Sequence, residues 1–139
     1  MSDIESSIRD LFSTQLVNVV AGLEHVFLVD LDTSEVVVSY PEAESQKDAF
    51  IAEICGTTTI QIEQKAKSTG KHGSALSLTS MELRTLDNQR IATYRITPTW
   101  LICLLGKEET FRPAFAKRLC EGPIKDEIES LLVQYNIAG

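Results

Sequence analysis

The sequence has no excess of positive charge. Its 13 Lys and Arg stand against 20 Asp and Glu, a formal net charge of −7. Nucleic acids and anionic membranes both reward a cationic face, so neither is expected as a partner. The surplus acid reads as a solubility device, or as a complement to a basic patch on a protein partner. Closely spaced cysteines are also missing. Cys55, Cys103 and Cys120 are odd in number and far apart, which argues against a disulfide framework and against a CxxC metal or redox site. Each lies in an apolar run, where a free thiol behaves as a small buried hydrophobe, and this points to a reducing, cytoplasmic setting. The longest wholly apolar run, Trp100 to Leu105, is far too short to span a bilayer. Met1-Ser2-Asp3-Ile4-Glu5 offers neither the basic segment of a signal peptide nor the glycine at position 2 that myristoylation requires, so no membrane insertion is expected.

Catalytic signatures are absent as well. Thr69-Gly70-Lys71 has part of a phosphate loop, but Lys65 stands where that loop needs its first glycine and His72 where it needs Ser or Thr. There is no Gly-x-Ser-x-Gly elbow, and His25 and His72 stand without a recognisable Ser or Cys nucleophile. Asp30 and Asp32 flank a hairpin turn, where Asp serves local hydrogen bonding, and no third metal ligand lies near them. A catalytic arginine would have to come from Arg84, Arg90 or Arg95, and ion-paired strand arginines are the commoner reading. No enzyme activity, cofactor or metal is expected.

What the sequence does contain is one domain's worth of alternating elements. Its 139 residues fit a single domain, and 43% apolar with 24% charged residues is the mixture of an ordinary globule. Ser2 and Glu5 have capping-box spacing. Ile4, Ile8, Leu11, Phe12, Gln15, Leu16, Val19 and Val20 then recur at helical spacing up to a left-handed cap at Gly22. Val26 to Leu31 reads as a strand covered on both faces, and Glu35 to Tyr40 as its β-branched hairpin partner across the turn Asp32-Thr33-Ser34.

Pro41 ends the hairpin, and a second helix is expected from Ser45 to about Lys67 with two stripes. Ile51, Ile54, Cys55, Thr58, Ile62 and Ala66 form a face suited to a sheet, beside a ridge of small residues, Ala49, Ala52, Gly56 and Thr59. Gly56 costs the helix about 1 kcal/mol relative to Ala, so it needs a reason. Either the ridge lets another helix approach closely, or Gly56 clears room for a sheet side chain. Ser74 to Thr85 then changes the parity of its apolar residues near Ser80 and reads as an edge strand. Arg90 to Thr97 follows, and Trp100 to Leu105 is apolar throughout, the mark of a central strand. A helix from Thr110 or Phe111 should carry Phe111, Phe115 and Leu119 inward until Gly122-Pro123 breaks it. Ile124, Ile128, Leu131, Leu132 and Tyr135 form a last amphipathic segment.

The order helix, two strands, helix, three strands, helix describes an α+β sandwich with helices on both faces of an antiparallel sheet. Val26-Phe-Leu-Val-Asp-Leu-Asp-Thr-Ser-Glu-Val-Val-Val-Ser-Tyr40 resembles the first hairpin of the roadblock/dynein light chain family, a relative of profilin-like folds. Trp100-Leu-Ile-Cys-Leu-Leu-Gly-Lys-Glu-Glu-Thr-Phe-Arg-Pro-Ala-Phe-Ala-Lys-Arg118 is similar to that family's last strand and helix, in the manner of a Ragulator-subunit-like roadblock domain. The likeness covers residues 4–121 of a single domain spanning 1–139, and leaves 122–139 as a C-terminal extension.

The resemblance implies a five-stranded sheet of order 2-1-5-4-3. It also implies a dimer, with itself or a paralogous subunit, through third strands and second helices: Ala49, Ala52, Gly56, Thr59, Leu76, Leu78 and Met81. It further implies a small Ras-like GTPase as partner, met by Glu53, Thr57, Gln61 and Gln64, with the protein acting as a scaffold or regulator. A small-molecule sensor of PAS or GAF type, or a longin-like trafficking adaptor without GTPase contact, are the alternatives. The extension either touches the GTPase or packs on the domain.

Overall fold

The structure is a computed structural model that describes residues 3–40, 46–69, 80–84, 88–97 and 99–134. Helix α1 spans Asp3–Phe12 and runs into a π-helical turn, Ser13–Val17, in which the Asn18 amide donates to the Ser13 carbonyl at 3.0 Å. Strands β1 (Leu23–Asp30) and β2 (Glu35–Tyr40) form the first hairpin, and α2 (Gln46–Thr69) follows. Strands β3 (Ser80–Arg84), β4 (Gln89–Arg95) and β5 (Trp100–Lys107) lead to α3 (Pro113–Glu121) and α4 (Pro123–Gln134). The strands form one antiparallel sheet in the order β2-β1-β5-β4-β3.

Side-chain parity divides the core into two layers. Val26, Leu28, Ile102 and Leu104 point to the face covered by α1, α3 and α4. Phe27, Val29, Leu101, Cys103 and Leu105 point to the opposite face, where Ala52 and Cys55 of α2 meet them. From Leu101 to Leu105 no residue is more than 1% exposed. That is why this strand reads as a continuous apolar run. The pairing of β1 with β2 slips between Leu28↔Val38 and Val29↔Val36, so Val37 is the extra residue of a β-bulge. The bulge sends Val38 to the first layer and Val36 to the second, although they lie two apart.

Two expectations change on this side of the molecule. Val19 is 48% exposed, while Leu16 and Val20 are buried. The π-helical turn adds one residue to the turn before it, which rotates Val19 out of the stripe. Phe115 is also 48% exposed. Because α3 starts only at Pro113, its inward period falls on Pro113, Ala116 and Cys120, while Phe111 is fully buried in the loop ahead of it. The segment after Gly122 packs: Ile124 and Ile128 are fully buried in the same core as α1. Ser2 and Tyr135 lie outside the described residues.

Gly22 sits at φ +79°, and its carbonyl accepts the Lys107 amide at 3.0 Å. A Cβ there would lie 2.6 Å from the Phe111 amide nitrogen. Both the backbone angle and the space therefore select glycine. Gly22→Ala is expected to lower stability by about 2 kcal/mol or more, read as a lower urea midpoint with an unchanged slope.

Candidate interaction surface on the second helix

Helix α2 lies on the sheet by its smallest side chains. Ala52, Cys55 and Thr59 are at most 1% exposed, and Gly56 is buried with them. A Cβ on Gly56 would stand 3.0 Å from Val29 Cγ1 and 3.8 Å from Leu31 Cδ2. The glycine therefore clears room for sheet side chains, the second of the two sequence readings. Thr59 satisfies its buried hydroxyl by donating from Oγ1 to the Cys55 carbonyl at 2.8 Å.

This placement corrects the dimer surface expected from sequence. Ala52, Gly56 and Thr59 are covered by the chain's own sheet and are not free to meet a second helix. The stripe expected on the sheet is split instead. Cys55 does face inward, but Ile54 and Ile62 are 47% and 40% exposed, with Thr58 partly exposed between them. Ala49 and Met81 belong to α2 and β3, but their side chains lie outside the description, as do Leu76 and Leu78 altogether. Glu53, Thr57, Gln61 and Gln64 are all exposed and flank the Ile54–Thr58–Ile62 row. Sequence reasoning missed Ile54 and Ile62 because it ranked the two stripes by hydrophobicity, whereas closeness of approach to the sheet is decided by volume.

An ion pair to β4 holds the far half of the helix. Arg95 on β4 meets Glu63 in fork geometry, Nη1 to Oε2 at 2.6 Å and Nη2 to Oε1 at 2.9 Å. The side chains are only 11% and 17% exposed, so the pair is largely desolvated. Arg95 is thus one of the ion-paired strand arginines, and Arg90 Nη1 donates to the Phe111 carbonyl at 3.4 Å. At the hairpin the Asp32 amide donates to Asp30 Oδ1 at 2.9 Å, the local turn bond anticipated for these aspartates.

These elements define the roadblock fold, and the chain has it. The structure is similar to Myxococcus xanthus MglB, with 13% identity over 96% of this chain and 98% of that one and a TM-score of 0.67. It is similar to an MglB with a tetrameric arrangement, at 11% identity, 96% and 93% coverage and a TM-score of 0.70. A roadblock/LC7 domain from Streptomyces avermitilis matches at 13% identity, 90% and 94% coverage and a TM-score of 0.56. No protein-family profile matches the sequence, and neither does any curated protein. Among the described residues, no helix is long and apolar enough to cross a membrane.

Two outcomes follow for α2. Gly56→Leu should overpack the helix–sheet contact and cost about 1–3 kcal/mol in thermal or urea unfolding. Arg95→Ala strands the Glu63 carboxylate and should cost about 3 kcal/mol; Arg95→Met combined with Glu63→Met should recover much of that loss.

Proposed function

We propose that this protein is a non-enzymatic dimeric scaffold or regulator, a single roadblock domain that pairs with a second roadblock chain and binds a small Ras-like GTPase. The observation that carries this reading is the outward row Ile54–Thr58–Ile62 on a helix whose inner side is already full. A helix that is apolar on both sides has a second surface to cover. The two isoleucines lie eight residues apart, about 12 Å along the axis, and span a patch of the size one neighbouring helix covers. The roadblock resemblance supplies the identity of the neighbour, and the matched MglB of tetrameric arrangement supports association between such chains.

Magnitudes indicate that this row does not act alone. Completing the burial of each isoleucine is worth about 1 kcal/mol, hence about 4 kcal/mol for two copies. Association itself costs about 4–15 kcal/mol. A second contribution is needed, and the edge strand β3, which holds Met81, is its proposed source, through backbone pairing with the same strand of the partner; Leu76 and Leu78, outside the described residues, are proposed to add to it. Ile54 and Ile62 replace the small-residue ridge as the helical part of the dimer contact. Glu53, Thr57, Gln61 and Gln64 remain the proposed contacts for the GTPase, because they border the row and reach solvent. The filled central strand counts against the sensor alternative, which needs an interior cavity.

Combined Ile54→Asp and Ile62→Asp should convert the dimer to monomer in sedimentation velocity at micromolar concentration, with the unfolding midpoint of the monomer nearly unchanged. Gln61→Arg with Gln64→Glu should leave the dimer intact and abolish co-elution with the GTPase. A wild-type chain that is strictly monomeric would refute the dimer. A dimer that co-elutes with no small GTPase in either nucleotide state would leave the longin-like adaptor.

A further inference from the structure

Between α2 and the sheet the chain brings two of its three thiols together. Cys55 faces down from the helix and Cys103 up from the middle of β5, and both belong to the same core layer. They are 1% and 0% exposed. Cys103 hydrogen-bonds to the Cys55 sulfur, which lowers the Cys55 thiol below its ordinary value and, together with burial, pushes Cys103 well above it. The pair therefore has one thiol held below its ordinary value and one held above it. Cys120 is the internal control. It lies in the other layer, across the sheet, and burial pushes its thiol up to about 12.

We propose that Cys55 and Cys103 form a site of reversible oxidative modification, at which hydrogen peroxide closes an intrachain disulfide between α2 and β5. A disulfide requires Cα atoms roughly 4.4–6.8 Å apart, closer than bulky side chains between helix and sheet would allow. Ala52 and Gly56, on either side of Cys55, remove that bulk, and the 3.0 Å approach of a Gly56 Cβ to Val29 Cγ1 shows how low the helix rides there. Burial excludes large oxidants, whereas peroxide is only slightly larger than water.

In the first step the Cys55 thiolate attacks one peroxide oxygen and the O–O bond breaks. Cys55 becomes a sulfenic acid, and the departing hydroxide takes a proton to leave as water. In the second step the Cys103 sulfur attacks the sulfenic sulfur, the S–O bond breaks, and the leaving hydroxyl takes the Cys103 proton. The sum is two thiols and one peroxide giving one disulfide and two waters, with two electrons passing from sulfur to oxygen. The product fastens α2 covalently to the sheet.

The full chain, reduced and then freed of reductant, is treated with hydrogen peroxide, denatured and labelled with N-ethylmaleimide. The expected product has lost two hydrogen atoms and takes one label, at Cys120, where the reduced chain takes three. Digestion should give a peptide pair joined through Cys55 and Cys103, and dithiothreitol should restore full labelling. Cys120→Ser should form the same link. Cys103→Ser should stop at a Cys55 sulfenic acid that dimedone traps. Unchanged labelling after peroxide, a link through Cys120 or between chains, or sulfinic acid at Cys55 of the unaltered protein would each overturn the proposal.

Discussion

Helix α2 can lie on this sheet only because its contact residues are small. At the level of Gly56, where Val29 and Leu31 rise from β1 and the turn after it, even one methyl group would be tight. Close packing makes such a contact sensitive to single methylenes, so it fixes the helix in rotation as well as in distance. With Ala52, Cys55, Gly56 and Thr59 turned down, the helical period puts Ile54 on the outer side and Ile62 at the flank. The fork between Arg95 and Glu63 then holds the second half of the helix in the same rotation. The exposed row is thus a consequence of the buried one.

The two faces of the sheet are covered unequally. On one side α1, α3 and α4 share a single apolar cluster, and α4 extends it through Ile124 and Ile128. On the other side, among the described residues, α2 alone covers the shorter cluster. On α2 itself Ile54 and Ile62 stay 47% and 40% exposed. The asymmetry, more than any single residue, is why the proposed partner contact is placed on this face.

Much of the fold was legible because burial on two faces leaves a plain trace. Trp100 to Leu105 is unbroken by a polar residue, and it lies between β1 and β4 with every position covered. The span Glu35–Tyr40 was read to the residue, since Pro41 and the Asp-Thr-Ser turn bracket it. The candidate site was harder. The isoleucine stripe is the more apolar of the two, and only the space left under the helix turns the smaller stripe inward, which no residue of α2 encodes by itself. The rotated Val19 and the outward Phe115 have the same origin. Each depends on a local change of helical phase, the π-helical turn in one case and the late start at Pro113 in the other. The segment from Ser74 to Thr79, expected to begin the edge strand, lies outside the described residues, and the described strand begins at Ser80.

The rotation of α2 is open to direct observation by methyl-labelled nuclear magnetic resonance on the intact protein, with intramolecular contacts selected by isotope filtering. Cross-peaks from the Val29 methyls to the Gly56 α-protons, and from the Ala52 methyl to sheet methyls, are expected, with none from Ile54 or Ile62 to Leu101 or Leu105 of the same chain. Strong intrachain cross-peaks from Ile54 and Ile62 to those leucines, with Ala52 silent, would mean that the helix is turned the other way and that the outward apolar row does not exist.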